Sequence, residues 1–279
     1  MEYILELKNI SKYYGLFAAN KDISMKVKKG TVHAIVGENG AGKSTLMNII
    51  AGVNRPNGGE ILLNGTSVQF RDANDANRAG IGMVQQEFML FDQLSVLDNI
   101  IIGYESVHKG AFLDHKTCEK KIQQICEEYG FHFDLHTLVR DLPIAVQQQV
   151  EIVKVLYRNA EIIILDEPTA VLPYQEVQGL FKAIRYLIQQ GKTVLFITHK
   201  LKEVLEISDV VTVMKNGCIS GEVATKDATE RLLTNMMVGR EVMLQLDKKL
   251  CEHTEPVMEV KNFRVRDERK ILRVKDVSF

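Results

Sequence analysis

The chain has 279 residues, of which 46% are hydrophobic and 25% are charged, and its formal net charge is −1. Such values are ordinary for a soluble globular protein with room for a sizeable core. The 35 basic and 36 acidic residues nearly balance, so the composition does not favour nucleic acid as a partner. No apolar stretch approaches the roughly 18–20 residues that span a bilayer.

Two further features bear on the cellular compartment. The amino-terminal segment is acidic and resembles a strand, so we expect no signal peptide. The four cysteines show neither CxxC spacing nor a metal-ligand pattern. We therefore expect reduced thiols in a cytosolic protein.

Apolar runs bounded by turn residues predict strands, and segments of helical pattern lie between them. The predicted strands are Tyr3–Ile10, Ile23–Val27, Thr31–Val36, Glu60–Leu63, Val68–Phe70, Glu161–Leu165, Thr193–Thr198, Val210–Lys215 and Cys218–Val223. The predicted helices are Ser44–Ala51, Pro173–Gln190 and a mainly helical block from Ser95 to Leu156. This alternation predicts an α/β fold with a mostly parallel sheet, and the block at about 88–160 is interpreted as an inserted helical subdomain.

The end of the sequence repeats its beginning. Met258–Phe263 resembles Leu5–Ile10, and Lys275–Phe279 resembles Lys21–Met25, at offsets of 253 and 254 residues. Two blocks at nearly one offset indicate a duplicated domain. We therefore expect a first domain at 1–245, a charged and polar linker at 246–256, and the truncated start of a second domain at 257–279.

A phosphate-binding loop follows the third predicted strand. Its residues are Gly37, Glu38, Asn39, Gly40, Ala41, Gly42, Lys43, Ser44 and Thr45. They fit the G-x-x-x-x-G-K-[ST] pattern between a strand and a helix. Backbone N–H groups and the helix N-terminus would hold phosphates, Lys43 would neutralise the terminal ones, and Ser44 would offer a hydroxyl to Mg²⁺.

Two adjacent carboxylates, Asp166 and Glu167, end a run of bulky aliphatic residues. Asp166 is a candidate ligand of Mg²⁺ or of its bound water. The neighbouring Glu167 side chain points to the other side of the strand end and is the candidate general base for an attacking water.

At this point nearly all of residues 1–239 resembles the ABC transporter ATPase family. The resemblance implies a P-loop NTPase core with an antiparallel β subdomain and an inserted helical subdomain. It places Tyr14 against adenine, with Tyr13 as the neighbouring alternative, and makes Gln86 the glutamine that joins the metal site to the helical subdomain. His199 matches the histidine that contacts the γ-phosphate, and ATP and Mg²⁺ are the implied cofactors.

The family binds ATP between two such domains, and the segment that faces the partner's phosphate loop is altered here. In Leu142–Val146, Pro143 stands where serine is usual and Ala145 where glycine is usual. Proline offers neither a hydroxyl nor an N–H, and alanine restricts the backbone. An aspartate expected at Pro173 is also missing. We infer a domain that binds nucleotide well but contributes poorly to a partner's site.

The features above most resemble the tandem-ATPase importers for sugars and nucleosides. The implied partners are a second ATPase domain of the full-length chain, membrane-embedded permease subunits and, indirectly, a solute-binding protein. The expected location is the cytoplasmic face of the cell membrane. Two alternatives stay open: a ribosome-associated tandem ABC protein, and a regulatory module that binds ATP without turnover.

Overall fold

The computed structural model describes residues 2–105, 107–108, 112–239, 258–267 and 270–279. Contacts divide the chain into two compact units, Met1–Val242 and Met243–Phe279. Within the described residues, no helix combines the length and the apolar character needed to cross a membrane. The predicted linker at 246–256 lies outside the described residues.

The first unit alternates strands and helices along the chain. Its strands are β1 (Tyr3–Tyr14), β2 (Phe17–Lys28), β3 (Val32–Val36), β4 (Gly58–Leu63), β5 (Thr66–Val68), β6 (Ile81–Val84), β7 (Val107–His108), β8 (Phe112–Leu113), β9 (Ile162–Asp166), β10 (Thr193–Ile197), β11 (Val210–Lys215) and β12 (Cys218–Ala224). Its helices are α1 (Lys43–Ile50), α2 (Ala73–Arg78), α3 (Val96–Ile101), α4 (His115–Tyr129), α5 (Ile144–Tyr157), α6 (Tyr174–Gln189), α7 (Leu201–Ile207) and α8 (Glu230–Val238).

A six-stranded sheet, in the order β12-β11-β3-β10-β9-β6, forms the centre of this unit. All neighbouring pairs are parallel except β11 and β12, which form an antiparallel hairpin. Every residue of β3, β9 and β10 is buried, because helices and a second sheet cover both faces. The carboxyl ends of β3, β10, β9 and β6 therefore lie side by side at one edge.

The second sheet is antiparallel, in the order β2-β1-β4-β5. Its inner residues, with those of α1 and one face of the central sheet, form one buried apolar cluster. Both sheets match the predicted fold class, which is confirmed.

The predicted helical block from Ser95 to Leu156 contains α3, α4 and α5, and it also contains the small β7–β8 hairpin that the pattern did not predict. Side chains cap two of these helices. Ser95 accepts from the Asp98 N–H at the start of α3, and Asp114 accepts from the Thr117 N–H at the start of α4. The helix α5 begins differently, after Pro143, without a side-chain cap.

Some elements differ from the sequence prediction for identifiable reasons. The strand predicted at Val68–Phe70 is wrong in position, since a tight turn at Asn64–Gly65 pairs Leu63 with Thr66 and so places β5 earlier. The sequence pattern also missed β6, whose Gly82 interrupts the apolar run. A Cβ at Gly82 would lie 2.7 Å from the Val155 Cβ, so glycine there allows α5 to pack closely on the strand.

The second unit contains a hairpin of β13 (Phe263–Arg266) and β14 (Leu272–Val277). Its pairing reproduces that of β1 and β2. Phe263 pairs with Val277 as Ile10 pairs with Ile23. The similarity extends to the side chains.

In both hairpins an asparagine N–H donates to a serine Oγ across the strands. The distance is 2.9 Å from Asn9 to Ser24 and 3.0 Å from Asn262 to Ser278. The two asparagines also share a left-handed backbone, with φ of 52° and 51°. The sequence repeat is therefore also a repeat of register and of local geometry.

Candidate functional site

The phosphate loop joins the end of β3 to the start of α1. The Lys43 ammonium turns back and donates to the carbonyl oxygens of Gly37 at 2.8 Å and Glu38 at 3.0 Å. Burial lowers the pKa of Lys43, and the nearby carboxylates Glu167 and Asp166 partly oppose that effect. A cation is thus held beside the loop N–H groups, which is the arrangement that a bound polyphosphate requires.

Neighbouring elements fix the end of this loop. Gly42 adopts a φ of 97°, and a Cβ there would lie only 2.3 Å from the Ala19 carbonyl oxygen of β2. Asn20, fully buried on β2, donates to the Gly42 carbonyl at 3.1 Å. From the β11–β12 turn, the Gly217 N–H donates to the Ala41 carbonyl at 3.1 Å. Only glycine fits at position 42, because the loop passes so close to β2.

The carboxylates at the end of β9 lie in different environments. Asp166 is buried, and that burial raises its pKa, although a hydrogen bond from Ser44 acts in the opposite direction. The Glu167 backbone is left-handed with a φ of 46°, and its N–H donates to the Ile197 carbonyl of β10 at 2.9 Å. A non-glycine residue in this region is strained, and such strain is concentrated at functional sites.

His199 follows β10 and contacts the general-base candidate directly. Its Nδ1 lies 3.1 Å from Glu167 Oε1, while about half of the imidazole side chain is exposed. The parallel pairing of β10 with β9 brings these two side chains together.

A cavity of about 370 Å³ lies over the phosphate loop. Its lining residues are Phe17, Ala19, Asn39, Gly40, Gly42, Lys43, Ser44, Thr45, Gln86 and Glu167. The structure thus brings together residues from β2, the phosphate loop, α1, the loop after β6 and the end of β9.

Most of the predicted site residues meet at this cavity, but the aromatic ones separate. Gln86 lines it, whereas the adjacent Gln85 lines a different cavity. Tyr14 is not among the lining residues, and its hydroxyl accepts from Asn54 at 3.2 Å. Phe17, which the sequence analysis did not single out, is 63% exposed and lines the cavity. Phe17 pairs with Tyr14 across the tight β1–β2 turn, so the two aromatic residues are neighbours in the structure.

The residues proposed to hold a metal ion fit a hard divalent cation. The Ser44 hydroxyl and the Asp166 carboxylate are hydrogen-bonded to each other, so two oxygen ligands already lie together. Gln86, whose side chain carries an amide oxygen, lines the same cavity. Oxygen donors with few carboxylates, beside a phosphate site, are what Mg²⁺ prefers.

A second group of residues missed by the sequence analysis supports His199. The Thr169 hydroxyl, two residues after Glu167, donates to Glu203 at 2.6 Å. Lys200 donates to the Thr169 carbonyl at 2.9 Å and pairs with Glu203 at 3.2 Å. This network ties the segment after Glu167 to the segment after His199.

Comparison with known proteins decides the family. The ABC transporter family model matches residues 20–170. The chain belongs to the ABC transporter family. This confirms the resemblance given by the motifs, and the first unit contains the ATP-binding domain of the family.

Two curated relatives align with nearly the whole chain, and both are longer than it is. The nucleoside import ATP-binding protein NupA of Lactococcus lactis is 42% identical over 99% of this chain and 54% of its own length. The guanosine import ATP-binding protein NupO of Bacillus subtilis is 42% identical over 100% of this chain and 54% of its own. The chain therefore spans about half the length of the curated relatives that it matches.

Solved structures confirm the ABC fold. The ADP conformation of an ATP-binding cassette of an ABC transporter superposes with a TM-score of 0.75 at 28% identity, over 86% of this chain and all of that one. A nucleotide-free cassette from an ABC transporter gives a TM-score of 0.73 at 29% identity, over 85% of this chain and 95% of that one.

Proposed function

We propose that the ABC domain binds Mg-ATP and hydrolyses it, and that the full-length protein uses this reaction to power import of a sugar or a nucleoside. The observation that carries the proposal is the contact of His199 with Glu167 at the edge of the phosphate-loop cavity. This arrangement provides a base and a polar partner for it where the terminal phosphate would lie.

The residues of the chain divide the chemistry between them. Loop N–H groups and Lys43 bind the phosphates, and Ser44 and Asp166 hold Mg²⁺, which supplies charge neutralisation to the phosphate oxygens when bound. Glu167 accepts the proton of the attacking water. His199 holds the Glu167 carboxylate and offers its second nitrogen to the γ-phosphate, and Gln86 completes the site.

A complete site would need a second domain. Pro143 is the N-cap residue of α5 and Pro173 is that of α6, and neither helix has a side-chain cap. An altered segment of this kind offers no hydroxyl to a partner's phosphate. The working site would therefore pair Lys43 and Glu167 of this domain with the corresponding segment of a second one.

The β13–β14 hairpin supports the presence of such a second domain in the full-length protein. Its register and its asparagine–serine bonds repeat those of β1–β2. The chain also spans only about half of its relatives. We propose that a first domain at 1–245 is followed by a linker at 246–256 and by the start of a second ABC domain at 257–279.

The proposed partners follow from the names of the relatives. These include nucleoside, guanosine and galactose/methyl galactoside import proteins. By this likeness the ABC domain would dock on membrane-embedded permease subunits at the cytoplasmic face of the membrane. A solute-binding protein would act with it indirectly and select the solute together with the permease.

The test is steady-state phosphate release with Mg-ATP, comparing the 279-residue chain with a form extended through the second domain. Activity in the extended form alone is expected and would support the composite site. Lys43→Ala in the extended form should abolish nucleotide binding. Equal activity in the short form would mean that Leu142–Val146 of one copy of the chain completes the nucleotide site of a second copy. The proposal that this segment contributes poorly to a partner's site would then be wrong. Nucleotide binding without turnover in both forms would favour a regulatory module.

A further inference from the structure

The loop after Gln86 is hydrogen-bonded to the helical subdomain at Met89 and at Phe91. At each of these residues both the backbone N–H and the backbone carbonyl take part. The Met89 N–H donates to Glu151 Oε1 at 2.7 Å, and the Met89 carbonyl accepts from Lys154 Nζ at 2.7 Å. Two residues later, the Phe91 N–H and carbonyl both bond to the buried Asn99 side chain, at 2.7 and 3.0 Å. The loop is therefore attached to α5 and to α3.

The attachment to α5 uses buried charges. Glu151 is 4% exposed and Lys154 is 9% exposed, and their charged groups lie 3.6 Å apart. Burial lowers the pKa of Lys154, and Glu151 opposes that effect. Buried ions need both a partner and further hydrogen bonds. Met89 supplies one such bond to each of them, so the pair is complete only when the loop is seated on α5.

The position of the pair along α5 gives it a role. Glu151 lies seven residues after Ile144, the first residue of the helix, which places both on one helix face two turns apart. The altered segment Leu142–Val146 lies at that helix start. At the other end of the connection, Met89 lies only three residues after Gln86, which lines the nucleotide cavity.

We propose that Glu151 and Lys154 are positioning residues that clamp Met89, so that the Gln86 loop and the first turns of α5 move as one body when a nucleotide contacts Gln86. The motion, though not the clamp, rests on the proposed function. An ordinary buried ion pair would need only opposite charges, whereas this clamp needs an acceptor at position 151 and a donor at position 154.

The experiment uses Lys154→Met and Glu151→Gln in the 279-residue chain, with Lys121→Met as the matched control. Lys121 donates to the Tyr157 carbonyl at 2.8 Å in the same subdomain but does not bond to the loop. Amide hydrogen exchange is measured without nucleotide and with Mg²⁺ and the non-hydrolysable analogue AMP-PNP. The Kd of AMP-PNP is measured for each variant.

Without nucleotide, Lys154→Met should raise the exchange rate of the Met89 amide by about tenfold or more, since charged hydrogen bonds are the strong ones. Glu151→Gln keeps an acceptor and should give a smaller rise, and Lys121→Met none. With AMP-PNP, protection at the start of α5 should change in the wild type and in Lys121→Met. That change should disappear in Lys154→Met, although AMP-PNP still binds.

Two results would overturn the inference. An unchanged Met89 exchange rate in Lys154→Met would show that Lys154 does not hold the Met89 backbone. Persistence of the AMP-PNP effect at α5 in that variant would show that the clamp does not couple the two segments. If the wild type fails to bind AMP-PNP, the proposed function fails, while the Met89 exchange rate still decides the clamp.

Discussion

His199 Nδ1 lies 3.1 Å from Glu167 Oε1, although the two residues follow different strands and are 32 positions apart in the chain. The contact depends on the pairing of Ile197 with Asp166, the last residues of β10 and β9. His199 contacts one carboxylate oxygen of Glu167, and Glu167 lines the cavity over the phosphate loop.

Glu167→Gln should keep nucleotide binding and lose hydrolysis. The amide is close in shape but cannot accept a proton, and general-base catalysis contributes about 10²- to 10⁴-fold. The measurement is phosphate release by the extended protein together with the Kd of ATP. Hydrolysis at the wild-type rate would mean that another group is the base.

Phe17→Ala should weaken nucleotide binding more than Tyr14→Ala does. Phe17 lines the cavity, whereas Tyr14 bonds to Asn54 outside it. Loss of one aromatic contact is worth about 1 kcal/mol, or roughly a fivefold rise in the Kd of ATP. The Kd of a fluorescent ATP analogue, measured for both variants, checks this. A larger loss in Tyr14→Ala would restore Tyr14 as the adenine-binding residue.

Gly42→Ala should destabilise the domain more than Gly40→Ala does. Both glycines have a positive φ, but only at Gly42 would the new Cβ meet a backbone oxygen, at 2.3 Å, whereas no atom lies within 4 Å at Gly40. We expect the extra cost to be about 1–3 kcal/mol. Urea unfolding of the two variants measures the difference. Equal losses would show that backbone strain alone, and not the contact with β2, requires glycine.

His33 should make the domain less stable as the pH falls from about 6.5 to 4. This residue is 1% exposed, and burial lowers its pKa to about 4 from the ordinary value of 6.5. The unfolded chain therefore takes up the proton first, so the stability present above pH 6.5 is lost on acidification, by roughly 3 kcal/mol in total.

The test is the free energy of unfolding between pH 7 and 4, compared with His33→Gln. Since carboxylates titrate in both proteins at the acidic end, the difference between the two curves isolates His33. Parallel curves would mean that His33 takes up a proton in the folded state without cost.

The parts of the site carried by local chemistry could be predicted from the sequence. The spacing from Gly37 to Ser44 defines the phosphate loop, and the aliphatic run before Asp166 defines the end of a buried strand. Gln86 could be placed only through family resemblance, since a glutamine in a loop has no signature of its own. In the structure Gln86 lines the cavity over the phosphate loop.

The parts that depend on tertiary contacts could not be predicted. The cavity includes Phe17 because the β1–β2 turn presents it there, and no periodicity distinguishes it from Tyr14. In the sequence the Glu151–Lys154 pair resembles an ordinary i, i+3 pair on a helix surface, and only the structure shows that both charged groups bond to the Met89 backbone. Burial of such a pair depends on the loop packed against it.

The strand order has a consequence for biosynthesis. The strand β3 lies between β10 and β11 in the central sheet. The residues that it pairs with on either side are more than 150 positions later in the chain. Such long-range pairings form slowly and only after the later segment exists. On the ribosome, the phosphate loop is synthesised early, but the strand β3 that precedes it lacks its neighbour β10 until Thr193–Ile197 has emerged. The nascent domain must therefore wait for about four fifths of its sequence before it can hold a nucleotide, and its apolar β3 needs protection during that interval.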